Sequence, residues 1–159
     1  HDALPICIGA CISNDDWGFK TQTMLSPDML RKYVFPWHKK IVEVIHKAGK
    51  PAILHSCGNL EKVMNDVIHE MKYDAKHSFE DSILPVEDAY ETWGSHIAIL
   101  GGIDLDFLCS KSEHDIYERS RTMLMKANDS GGYALGSGNS IPEYIPVENF
   151  RAMISAINE

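Results

Sequence analysis

His55 and Cys57 stand one residue apart in the run Pro51-Ala52-Ile53-Leu54-His55-Ser56-Cys57-Gly58. On the end of an extended strand, residues two apart point to one side, so this pair can address a single ion. An imidazole with a thiolate suits Zn²⁺, although a catalytic zinc needs about three protein ligands. The plainer alternative is a His55 bonded to a backbone group and a Cys57 that is a small buried apolar residue. Asp15 and Asp16 are adjacent, so on extended backbone they cannot both point the same way. They make either a turn with an Asx bond or a place where one carboxylate, Asp16, orients a substrate. His77 and Glu80 offer acid/base groups, since imidazole titrates near neutrality; they could equally tie neighbouring loops together. Asp104 is a further carboxylate, next to Gly101-Gly102, which permits close approach of a ligand or a neighbouring segment. Ser137 and Asn139 lie in Gly136-Ser137-Gly138-Asn139, where exposed N–H groups could cradle an anion or merely form a tight turn.

Each of these groups follows a short apolar run, and those runs alternate with amphipathic stretches. The expected strands are Ile6–Ile12, Pro51–His55, Asp74–Phe79, Ile97–Ile103 and Gly132–Leu135. Between them, Ser26-Pro27 opens a helix whose apolar residues Leu30, Val34, Trp37, Ile41, Val44, Ile45 and Ala48 recur at three and four, with Gly49 as its stop. Trp37, Met29 and Phe35 read as helix packing, and His38 and His46 as surface or inter-helix residues. Helices are further expected over Leu60–Met71, over Pro85–Trp93, from Ser112 with Asp115 in a capping-box-like position, and from Pro146. Five strands in strict alternation with helices imply a parallel sheet with helical crossovers. Both an open doubly wound sheet and part of a (β/α)8 barrel fit that pattern. In either, ligands bind beyond the carboxyl ends of the strands, where the polar residues above all fall.

The 159 residues fit one domain, with no composition shift or low-complexity linker to divide them. No apolar run approaches the roughly 18 residues that span a bilayer, and no signal peptide is evident. The net charge of −8 and a pI near 5.4 argue against a nucleic-acid partner. Cysteines 7, 11, 57 and 109 form no CxxC pair, which fits reduced thiols and a cytoplasmic location.

The ordered motifs resemble a known family. They are Leu25-Ser-Pro-Asp-Met29 with Phe35-Pro-Trp37, Pro51 to Asn59, Ile99-Leu-Gly-Gly-Ile-Asp104, Gly132 to Pro142, and Ile145-Pro-Val-Glu-Asn149. Together they resemble the uroporphyrinogen decarboxylase superfamily, over nearly the whole chain. The resemblance implies an α/β fold of the (β/α)8 TIM-barrel type, present here as about the last five βα units. Isolated, such a portion should be unstable or self-associating.

The resemblance also implies two chemical branches. The decarboxylases remove carboxyl groups from a tetrapyrrole without metal or cofactor, and Ser137 stands where they carry a His. The cobamide-dependent methyltransferases hold zinc through His-x-Cys and a later Cys, to ionise a substrate thiol. His55 and Cys57 match the first two ligands. No Cys stands around Ser137 to Asn139, so a carboxylate such as Glu80 or Asp16 is the candidate to complete the set. The first reading is methyl transfer between a corrinoid on a partner protein and a small acceptor, with Asp16, His77 and Glu80 catalytic and Asp104, Ser137 and Asn139 on the substrate. A decarboxylase-type lyase is the second reading, and a non-catalytic ligand-binding remnant the third. All three allow a homo-oligomer and need no membrane.

Overall fold

The computed structural model describes residues 8–158. Five strands are hydrogen-bonded in the order β1-β2-β3-β4-β5, the chain order itself. β1 pairs in parallel with β2, and β4 with β5. Strands following one another in parallel, each reached through a helical crossover, are the α/β pattern of consecutive βα units in a (β/α)8 barrel. The chain divides into two compact units, residues 1–76 and 77–159. Among the described residues, no helix is long and apolar enough to cross a membrane, and the cysteines form no disulfide.

In the first unit, β1 is Cys11–Asn14 and β2 is Ala52–His55, in a register that sets Ser13 against Leu54 and Asn14 against His55. The expected first strand began at Ile6; Ile6 and Cys7 lie outside the described residues, and β1 continues two residues past Ile12. The crossover is two helices rather than one: α1, Pro27–Tyr33, and α2, Phe35–Lys47. Pro36 explains the break, because it has no N–H to donate and its ring clashes with the carbonyl one turn back. Ser26 accepts the Met29 N–H and caps α1. The buried face of α2 also differs from the expected stripe. Phe35, His38 and Val42 are buried, whereas Trp37, Ile41 and Val44 face outward. Residues 60–71 form a short 3₁₀ turn, Glu61–Val63, and a wide π turn, Asp66–Glu70, instead of a regular α-helix. The expected apolar face still packs, with Leu60, Val63, Met64, Val67 and Met71 all buried.

β3, Ala75–His77, lies at the division. In the second unit, α3 is Val86–Trp93 behind Pro85 and β4 is Ala98–Leu100. β4 is shorter than expected because Gly101 and Gly102 take φ of 73° and 101°, which no strand continues. α4, Leu105–Ser110, is an element the periodicity did not signal. α5, Glu113–Ala127, begins at Ser112, whose hydroxyl accepts the Asp115 N–H. β5 is Tyr133–Ala134 and α6 is Val147–Ser155. The core here is Ile103, Leu108, Ile116, Ile145 and Met153. The buried Asn149 amide donates to the carbonyls of Leu108 and Lys111, satisfying groups that the end of α4 leaves open.

Candidate functional site

The loops after β1 and β2 are knitted together backbone to backbone. Asp15 N–H donates to the His55 carbonyl at 3.1 Å, and Asn59 N–H to the Phe19 carbonyl at 2.7 Å. Trp17 N–H donates to Ser56 Oγ at 3.1 Å. Two glycines permit this approach. A Cβ on Gly58, whose φ is +84°, would lie 2.2 Å from the backbone of Gly18, and one on Gly18 would lie 2.7 Å from Asn59 N.

That approach brings Asp16, His55 and Cys57 together. One ligand atom of each, an oxygen, a ring nitrogen and a sulfur, lies within 4.8 Å of the others. Cys57 Sγ is 3.7 Å from His55 Nε2. Zinc bonds of usual length at the tetrahedral angle would separate these two atoms by about 3.6 Å, so the pair is spaced as ligands of one ion. Asp16 Oδ1 accepts the backbone N–H of Cys57 at 2.8 Å, which aims the carboxylate across the cluster. His55 and Cys57 are half-buried and Asp16 is exposed. A mixed O, N, S set of three donors with an open side fits a catalytic rather than a closed structural ion. Asp16 thus belongs with the metal candidates His55 and Cys57.

Behind this cluster lies a buried polar chain that sequence reasoning missed. His38 is 7% exposed, not a surface residue. Its Nε2 is 3.1 Å from Asp15 Oδ2, and its Nδ1 is 2.8 Å from the Tyr73 hydroxyl and 3.4 Å from Ser13 Oγ. A carboxylate only accepts, so Nε2 carries the hydrogen. Burial pushes the Tyr73 phenol up, with the Asp15 charge adding to this and the Ser13 hydrogen bond opposing it. The phenol therefore stays protonated and donates to Nδ1. The Trp17 ring packs edge-on against His38, centroids 4.7 Å apart. A signal was present: His38 falls three and four residues from Phe35 and Val42, on their buried face.

The candidates from His77 onward form their own arrangement. His77 Nε2–H donates to the Ser137 carbonyl at 3.1 Å. Ser137 Oγ–H donates to the Asn139 carbonyl at 2.6 Å, and Asn139 Oδ1 accepts the Ser140 N–H. Asp104 is engaged on both oxygens. Oδ1 accepts the N–H groups of Asp106 and Phe107 and caps α4, while Oδ2 accepts the Asp81 N–H. Glu80 is half-buried, and its carbonyl accepts the Ile83 and Leu84 N–H groups in a turn. The charged anchor of that loop is its neighbour Asp81, which meets Arg119 at 2.6 and 2.8 Å. Arg119 also meets Glu87 at 2.7 and 2.8 Å and lies over the Phe107 ring. Burial opposes the Arg119 charge, yet the two carboxylates outweigh it and raise its pKa. Burial likewise pushes Glu87 up, and the Arg119 hydrogen bonds reverse this to a net lowering.

Comparison with known proteins fits this architecture. The family model for uroporphyrinogen decarboxylase (URO-D) matches residues 7–159. A protein named uroporphyrinogen decarboxylase from Anaeromyxobacter dehalogenans (strain 2CP-C) is 25% identical over 134 residues, 84% of this chain and 37% of its own length. One of the same name from Anaeromyxobacter sp. (strain Fw109-5) is 26% identical over 129 residues, 81% of this chain and 36% of its own. Among solved structures, a methyltransferase from Methanosarcina mazei superposes with a TM-score of 0.73 at 20% identity, covering 94% of this chain and 42% of that one. The chain thus spans little more than a third of the length of these curated relatives. With the family model matched from Cys7 to the last residue and the βα order in agreement, the chain belongs to the uroporphyrinogen decarboxylase (URO-D) family.

Proposed function

We propose that this chain carries the metal-binding part of a methyl-transfer enzyme, which moves a methyl group between a corrinoid on a partner protein and a small thiol acceptor. The observation that supports the reading is the convergence of Asp16, His55 and Cys57 ligand atoms within 4.8 Å. His55 and Cys57 would bind zinc through nitrogen and sulfur, and Asp16 through a carboxylate oxygen, in place of a further cysteine. A bound zinc ion supplies the Lewis acidity that lets an acceptor thiol ionise near neutral pH. The residues themselves hold the geometry. The Cys57 N–H fixes Asp16, and the β1 and β2 loops hold the two sides of the cluster together. Transfer would break the cobalt–carbon bond, leaving its electron pair on the corrinoid, form a sulfur–carbon bond on the acceptor and release the thiol proton.

A second reading, a metal-free decarboxylase acting on a tetrapyrrole, is favoured by the names of the 25% and 26% identical relatives. The two separate in one pair of assays on the intact protein. Methylcobalamin with a thiol acceptor should lose its methyl–cobalt absorption, and Cys57→Ala should slow this by at least about 100-fold, since it removes a ligand outright. Release of CO₂ from uroporphyrinogen, unaffected by chelators, would establish the decarboxylase instead. Inactivity in both would leave a ligand-binding remnant.

A further inference from the structure

We infer that His38 is a positioning residue for the Asp16–His55–Cys57 cluster, holding Asp15 so that the adjoining Asp16 carboxylate stays turned toward the thiolate and imidazole. The inference rests on the metal reading of that cluster and adds a role for a residue outside it.

Asp15 is pinned at two points. Its N–H is bonded to the His55 carbonyl at 3.1 Å, and its carboxylate to His38 Nε2 at 3.1 Å. The next residue, Asp16, is the one that meets Cys57. Without the His38 contact, the Asp15 side chain, 47% exposed, has no reason to point inward, and water competes for it. Asp15, from which the chain runs straight into Asp16, would then lose one of its two anchors. His38 can act as a fixed point because it is itself immobilised. It sits on α2, its side chain is 9% exposed, the Trp17 ring packs against it, and Tyr73 O–H donates to its far nitrogen. A His at this place is more than filler. Val42 and Phe35 line the same face without polar atoms, and an apolar residue would bury the position at lower desolvation cost.

The test uses the intact, metal-stripped protein, with zinc affinity from calorimetric titration and the visible spectrum of the Co²⁺ form as a second readout. His38→Phe should weaken zinc by about 10- to 100-fold, the range found when an outer partner of a metal ligand is removed. It should also shift the Co²⁺ bands. His38→Gln, whose amide still donates to Asp15, should recover most of the affinity and the wild-type spectrum. If His38→Phe lacks a cooperative thermal transition, Asp15→Ala replaces it and should show the same zinc loss. Zinc in the wild type with unchanged affinity in the variant read overturns the inference alone. Equal losses in the Phe and Gln variants also overturn it, because bulk packing would then be the cause. A wild type that takes up no zinc overturns the metal reading and the inference together.

Discussion

Asp16 and Cys57, 41 residues apart in sequence, meet through a 2.8 Å hydrogen bond from the Cys57 backbone N–H to the Asp16 carboxylate. The contact exists because β1 and β2 are parallel neighbours in register and end together. The loops that follow them must then leave from one edge.

The crossing of Gly18 and Gly58 makes the first prediction. Gly58→Ala puts a methyl group 2.2 Å from Gly18 backbone atoms at a φ of +84°. Backbone strain alone costs roughly 1–3 kcal/mol, and the clash adds to it. The variant should melt well below wild type in a thermal scan and lose zinc binding as well. An unchanged melting temperature would mean that the loops do not cross as described.

Asp104 was expected to touch substrate, and its geometry assigns it a structural task. Asp104→Ala removes the α4 cap and the tie to Asp81, at a cost of about 1–2 kcal/mol. Asp104→Ser keeps a capping oxygen and should recover part of that in urea denaturation. A stable Asp104→Ala protein that fails only in turnover would restore the substrate role.

Arg119 joins α5 to Asp81 and Glu87, with its side chain 14% exposed and theirs 33% and 26%. Arg119→Met should cost about 2–3 kcal/mol, between the exposed-pair and buried-pair ranges. The pH dependence follows from Glu87. Its folded pKa lies below the ordinary carboxylate value, so its contribution is complete above that value and is lost as pH falls through the folded pKa. The gap between wild type and Arg119→Met should therefore be widest near neutrality and should narrow on acidification. A gap that grows in acid would contradict the ion-pair account.

Much of the fold was legible because strand ends and helix starts carry local marks. Ser112 with Asp115, Pro85, and Gly49 each sit where a cap or stop was expected. The nearness of His55 and Cys57 was legible for the same reason, being a two-residue spacing on one strand end. That Asp16 lies beside them was legible only as one of two carboxylate choices, since it depends on the register of β1 against β2. Arg119 was invisible because its partners lie 38 and 32 residues away. The outward turn of Trp37 and Val44 was misread because α2 carries two apolar faces, and periodicity alone does not say which one meets the sheet. The capping bonds of Asp104 were not legible because the six residues of α4 are too few to show a period.

Those outward residues give another prediction. Trp37, Ile41 and Val44 are 63%, 44% and 65% exposed along α2, a contiguous apolar stripe of the kind that drives association. The isolated 159-residue chain should sediment as more than a monomer. A double Trp37→Glu, Val44→Lys variant should shift it toward monomer. A monomeric wild-type chain with one cooperative unfolding transition would refute this.

The central claim, that Asp16, His55 and Cys57 hold one metal ion together, is tested most directly by elemental analysis of the intact protein and its three single alanine variants. One equivalent of zinc in the wild type, with substoichiometric zinc in Asp16→Ala, His55→Ala and Cys57→Ala alike, is the predicted result. Full zinc retention in any one of the three, or none in the wild type, would contradict it.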